Sequence, residues 1–111
     1  MEMVVGEVQI AIDDEGYLQD PGDWSEAVAA ALARTEGLDL ETGHWQVLRF
    51  MRAFYEEHQV APDARFVIRH LAAQGAGAEA RARLFTLFPY GYVQQACKIA
   101  GMRRPRGWST G

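Results

Sequence analysis

Near the N-terminus apolar and polar positions alternate: Val8, Ile10 and Ile12 share one side, Glu7, Gln9 and Ala11 the other, the two-residue period of a half-buried strand. Asp13-Asp14-Glu15-Gly16 then supplies turn chemistry before Tyr17-Leu18, so a small N-terminal β-hairpin is expected. Beyond Asp20 the period lengthens to that of a helix. Asp20-Pro21-Gly22 reads as a loop, Asp23 as an N-cap with Glu26 three residues on, and Trp24, Val28, Ala31 and Leu32 fall on one face until Gly37 ends the helix. Thr42 caps a longer second helix whose stripe of Trp45, Leu48, Met51 and Tyr55 is widened by Val47, Phe50 and Phe54. So broad an apolar surface places that helix at the centre of a bundle.

Pro62 favours a helix's first turn, which predicts a third helix over residues 63–73 with Phe66, Val67, Ile68 and Leu71 inward. Gly75-Ala76-Gly77 breaks it. A fourth helix is expected over 78–88, with Leu84, Phe85, Leu87 and Phe88 as its apolar side, and a fifth over 92–100 after Pro89-Tyr90-Gly91. The expected fold is mostly α: a compact bundle of about five helices with a small N-terminal β-hairpin. Residues 1–101 read as one helical domain and 102–111 as a flexible C-terminal arm, which suits a chain of 111 residues.

Composition sets the compartment. Hydrophobic residues at 49% and charged residues at 23% are globular values, and no apolar run has the length of a membrane span. Met1-Glu2-Met3-Val4-Val5 lacks the basic and apolar regions of a secretory signal, and the lone Cys97 cannot form an internal disulfide, so a cytoplasmic protein is expected.

The net charge of −4 hides a division. Residues 1–79 hold all 15 acidic side chains and five basic ones, about −10, whereas 80–111 hold Arg81, Arg83, Lys98, Arg103, Arg104 and Arg106 and no acid, +6. A cationic end suits an anionic partner, either an acidic protein surface or nucleic acid, unless the two halves of the chain neutralise each other within the fold. Nucleic acid is the alternative function: two helices joined at Gly75-Ala76-Gly77 have helix-turn-helix spacing, with Arg81 and Arg83 early in the second, so tRNA or DNA association is its prediction.

Chemistry converges on Cys97. Val93, Ala96, Cys97 and Ala100 share a helical stripe, which favours a structural cysteine of the core, while Lys98 and the arginines beyond would favour a reactive thiolate if the helix end meets water. His44, His58 and His70 have no cysteine or carboxylate at metal-ligand spacing, so no metal is expected. Glu56-Glu57 reads as a solvated face. No Gly-rich phosphate loop follows a strand, and no cofactor is expected. Trp108, on a polar tail, is a candidate partner anchor.

The run Leu87-Phe88-Pro89-Tyr90-Gly91, then Gln95-Ala96-Cys97-Lys98-Ile99-Ala100-Gly101, then Pro105-x-Gly107 resembles the C-terminal signature of the DsrC/TusE family of sulfur-relay proteins. The resemblance extends to Gly16-Tyr17-Leu18, Asp23-Trp24 and His44-Trp45-x-Val47-Leu48-x-Phe50-x-Arg52. It implies a helical fold with a hairpin and a mobile arm, with sulfur-relay or sulfite-reductase-type proteins as partners. In that family a penultimate cysteine carries sulfur as a persulfide, and some members hold a second cysteine upstream. Cys97 matches the upstream one; residues 98–107 are the ten that should separate the pair, and at the next position, that of the carrier, stands Trp108.

Tyr92 and Arg103 stand where relatives usually have proline, and Ser109-Thr110-Gly111 follows where relatives stop one residue past the cysteine. An indole cannot exchange sulfur. The resemblance therefore implies a divergent relay protein that acts through Cys97 or as a docking and regulatory variant, with Lys98, Arg103, Arg104, Arg106 and Trp108 as partner-binding candidates.

Overall fold

A computed structural model of the protein describes residues 1–104, so Arg106 and Trp108 lie outside the described residues. Its hairpin forms one turn earlier than the alternation suggests. β1 (Glu2–Val5) pairs antiparallel with β2 (Val8–Ala11), with Glu2 opposite Ala11 and Val5 opposite Val8. The expected return at Tyr17-Leu18 is reduced to a single bridge between Ile12 and Leu18. Ile10 is buried, whereas Val8, beside the turn and farthest from the open end of the hairpin, remains 58% exposed.

Among the described residues four α-helices follow: α1 (Glu26–Thr35), α2 (Thr42–His58), α3 (Ala64–Leu71) and α4 (Ala80–Leu87). The caps differ from the sequence expectation by one or two residues. Asp20 opens a short 3-10 turn by accepting the Gly22 N–H, and Ser25, in place of Asp23, caps α1 by accepting from the Val28 N–H at 3.1 Å. Glu41, in place of Thr42, is the cap of α2, where the Glu41 N–H donates to His44 Nδ1 at 3.0 Å. Gly37 ends α1 as expected: at φ 72° it lets the Leu38 N–H reach the Ala33 carbonyl at 2.9 Å and its own N–H the Arg34 carbonyl at 3.1 Å.

After α3 the backbone widens through Ala72–Ala76, with Gly75 at φ 116°, and a 3-10 turn over Gly77–Glu79 leads into α4. The fifth helical segment, Tyr92–Cys97, is wound with π pitch instead of α pitch. Its residues are buried nearly all round; within the segment only Gln94 is fully exposed.

α2 supplies Val47, Leu48 and Met51 to the centre of the core, each at 0% exposure. Leu32 of α1, Val67 and Leu71 of α3, Leu84 of α4, Phe88 and Tyr92 close around them. Burying side chains of this size stabilises the fold by about 1.5–3 kcal/mol each. Phe66 departs from the predicted inward stripe: it is 39% exposed and packs on Phe54, ring centroids 5.4 Å apart, at the outer margin of α2 and α3. His44 ties the start of α2 to the end of α4. With Nδ1 accepting, its Nε2–H donates to the Leu87 carbonyl at 2.8 Å, and its ring meets Phe88 edge-on at 5.2 Å. No helix among the described residues is long and apolar enough to cross a membrane.

Candidate functional site

Cys97 ends the π-wound segment and is fully buried. Burial pushes its thiol up to about 12, against which contact with the Tyr92 hydroxyl acts in the lowering direction. The Tyr92 hydroxyl donates its proton to the Pro62 carbonyl, which joins the cysteine segment to the approach of α3. Burial likewise raises the Tyr92 phenol, with the adjacent thiol adding to it. Tyr17 is bonded to the same segment: its hydroxyl donates to the Val93 carbonyl at 2.9 Å, and burial, then the charge of a Cys97 thiolate, raises its phenol to about 12. An environment of this kind disfavours every anion it encloses.

Lys98 follows Cys97 but does not reach outward as a free cation. Its Nζ lies 3.5 Å from Glu36, at the end of α1, and 5.1 Å from the Tyr17 ring centroid, with the side chain only 14% exposed. The pair ties α1 to the cysteine segment.

The root of the arm is held by a separate group. Gly101, at φ 77°, closes the last helical turn: the Met102 N–H reaches the Cys97 carbonyl at 3.0 Å and the Gly101 N–H the Lys98 carbonyl at 3.0 Å. The Ile99 and Ala100 carbonyls remain without helical partners. Trp24 Nε1–H donates to Ile99 at 2.9 Å, and Arg52 donates to Ala100 at 3.2 Å while also bonding the Pro21 carbonyl and Glu56. The Arg52 guanidinium lies 4.9 Å from the Trp24 ring centroid, so indole and guanidinium form one clamp. A Cβ at Gly101 would come within 2.4 Å of Trp24, so only glycine fits between clamp and chain. Met102 is buried, Arg103 and Arg104 are exposed, and Arg104 pairs with Glu15 of the hairpin region.

The other sequence candidates lie elsewhere. Arg81 and Arg83 are exposed on α4, and Arg83 lies against the first turn of α2 at Gly43. His58 and His70 pack on Phe54 and Phe50 at 4.4 and 4.3 Å. No group of three His, Cys, Asp or Glu side chains gathers among the described residues. Sequence reasoning missed Tyr92, Glu36 and the clamp role of Trp24 and Arg52. The signal for Tyr92 was its position between Gly91 and an apolar stripe, where a ring turns inward.

A family model described as DsrC like protein matches residues 4–108. The chain belongs to the DsrC-like family. Among its relatives, the sulfurtransferase TusE of Salmonella paratyphi A is 42% identical over 98 residues, 87% of this chain and 90% of that protein. TusE of Yersinia pseudotuberculosis is 43% identical over 97 residues, 86% of this chain and 90% of that one. The crystal structure of the oxidized γ-subunit of dissimilatory sulfite reductase, DsrC, from Archaeoglobus fulgidus superposes with a TM-score of 0.88 at 31% identity, over 97% of this chain and 99% of that one. DsrC of Allochromatium vinosum gives 0.84 at 36% identity over the same shares. Within the DsrC-like fold the thiol of this chain is enclosed, and the group that meets solvent at the root of the arm is a pair of arginines.

Proposed function

We propose that this DsrC-like protein works in a sulfur relay as a docking member that regulates transfer, and not as a carrier that swings a thiol into its partner. The observation that carries the reading is the setting of Cys97. Thiolate is the sulfur-accepting species, and a thiol pushed up to about 12 is ionised to roughly one part in 10⁵ at pH 7. At 0% exposure it is also closed to a protein-sized donor. The sequence offers no second thiol, and Trp108 occupies the position that the family resemblance assigns to the carrier.

The relatives supply the partner class. The TusE proteins are named sulfurtransferases, and DsrC of Archaeoglobus fulgidus is a subunit of dissimilatory sulfite reductase. The reading here is a sulfur-relay or sulfite-reductase-type protein as partner, met by Arg103, Arg104, Arg106 and Trp108. Arg103, unpaired among the described residues, and in sequence Arg106 and the Trp108 indole suit an acidic cleft with an apolar floor, with Arg104 released from Glu15 on docking. The nucleic-acid alternative raised by Arg81 and Arg83 finds no support in these relatives.

Incubation of the reduced, folded protein with a polysulfide donor, followed by intact-mass measurement, is expected to leave Cys97 without added sulfur, whereas the denatured chain gains it. Partner binding, read by calorimetry against the relay protein of the same organism, is expected to survive Cys97→Ser and to weaken when residues 103–111 are deleted. Sulfur gained on Cys97 in the folded state and passed to the partner would replace the regulatory reading with a carrier one.

A further inference from the structure

Between the start of α2, the widened turn after α3, and α4 lies a cleft of about 370 Å³, lined by Gln46, Leu71, Gln74, Gly75, Ala76 and Arg83. We propose that it is a binding site for a carboxylate on a short aliphatic stem, with the Arg83 guanidinium and the Gln46 and Gln74 carboxamides as donors to the carboxylate. The proposal goes beyond sulfur transfer and does not depend on Cys97.

The donors are available. Arg49, Arg52, Arg65 and Arg104 each pair with a carboxylate, but Arg83 makes no ion pair or hydrogen bond among the described residues, and neither does the side chain of Gln46 or Gln74. Three polar groups without partners therefore line one cavity.

Packing holds the charge in place. A Cβ on Gly43 would stand 2.8 Å from Arg83 Nη2 and 3.1 Å from Leu87, so the guanidinium rests against the first turn of the 17-residue α2. The Glu41 side chain already caps that turn, so the positive charge at the cleft is that of the guanidinium alone. A planar guanidinium matches a carboxylate in two parallel bonds. Leu71 and Ala76 form an apolar wall for the stem, and at Gly75, where an added Cβ would meet nothing within 4 Å, no side chain narrows the cleft. Its volume falls within the range of small-ligand sites. Two sources carry this chemistry: the acidic side chain of a docked protein, and a free aliphatic acid.

The test is a ¹⁵N NMR titration of the full chain at constant ionic strength. Its probes are sodium butyrate, the peptide N-acetyl-Ala-Glu-Ala-amide, and butyramide as the uncharged isostere. Saturable shifts confined to Gln46, residues 74–76 and the Arg83 side chain, with either carboxylate and not with butyramide, are expected. Arg83→Gln is expected to weaken binding about tenfold, some 1.4 kcal/mol, while Arg81→Gln on the same helix leaves it unchanged. Tighter binding of the peptide assigns the site to a protein partner, and tighter binding of butyrate to a free acid. Shifts scattered over the surface, equal response to butyramide, or indifference to Arg83→Gln would overturn the proposal.

Discussion

If the Trp24 and Arg52 clamp keeps the last helical turn closed over Cys97, then weakening the clamp must expose the thiol without rebuilding the site. Trp24→Phe is the cleanest perturbation. It keeps an aromatic ring beside Gly101 and removes the indole N–H, whose bond to the Ile99 carbonyl is 2.9 Å long. That carbonyl has no other partner among the described residues, so the loss leaves an acceptor unsatisfied, at a cost of about 1–3 kcal/mol. Each 1.4 kcal/mol is a factor of ten in the opening equilibrium, which puts the expected change at roughly 5- to 150-fold. The assay is labelling of Cys97 by a small disulfide reagent at pH 8, under conditions where closing outpaces reaction. In the wild type, the shift from 9.0 to about 12 alone slows the enclosed thiol about a thousandfold relative to the denatured chain, since the reagent attacks thiolate. Trp24→Phe should recover one to two of those decades, in step with its loss of stability in urea. A variant destabilised by more than about 1 kcal/mol whose labelling rate did not change would refute the clamp.

The remaining expectations concern the same region. Because the Cys97 thiol titrates at about 12 when folded and near 9.0 when unfolded, the unfolded chain releases its proton first, so the contribution of Cys97 to stability is constant below about pH 8 and falls between 9 and 12; urea melts across that range should show a slope shallower by up to about 1.4 kcal/mol per pH unit in Cys97→Ala. Glu36→Gln leaves the half-buried Lys98 ammonium without its carboxylate, and thermal unfolding should register a loss of roughly 1–2 kcal/mol, between the values for exposed and buried pairs. Gly101→Ala meets both the left-handed backbone at φ 77° and a contact of 2.4 Å with Trp24, so a loss of more than about 2 kcal/mol in chemical denaturation is expected, well beyond the cost of the same change at an exposed left-handed site.

The helices were legible because α2 and α3 present their buried residues at helical spacing, and a face that must be buried announces itself in the pattern. The hairpin shifted because Glu2–Val5 shows weak alternation, Val4 being 65% exposed, so only pairing with Val8–Ala11 defines it as a strand. Cys97 shows where such reading stops. Periodicity placed it on the apolar stripe, which is where it lies, but a stripe on one helix says nothing about what closes over it. That depends on Tyr17 and Tyr92, 75 residues apart in sequence, and on the clamp by which Trp24 and Arg52 reach Ile99 and Ala100, 75 and 48 residues further along. Charge counting left two readings open for the same reason, an anionic partner or neutralisation within the fold, and the ion pairs favour the second at the arm's root. Lys98 and Arg104 counted as members of a cationic end, yet each is matched to an acid of the N-terminal half, Glu36 and Glu15, so the two halves attract each other inside the fold and Arg103 is what the arm root leaves unpaired among the described residues. The division of charge thus serves first to hold the arm's root to the body, and only the charge left over is available to a partner.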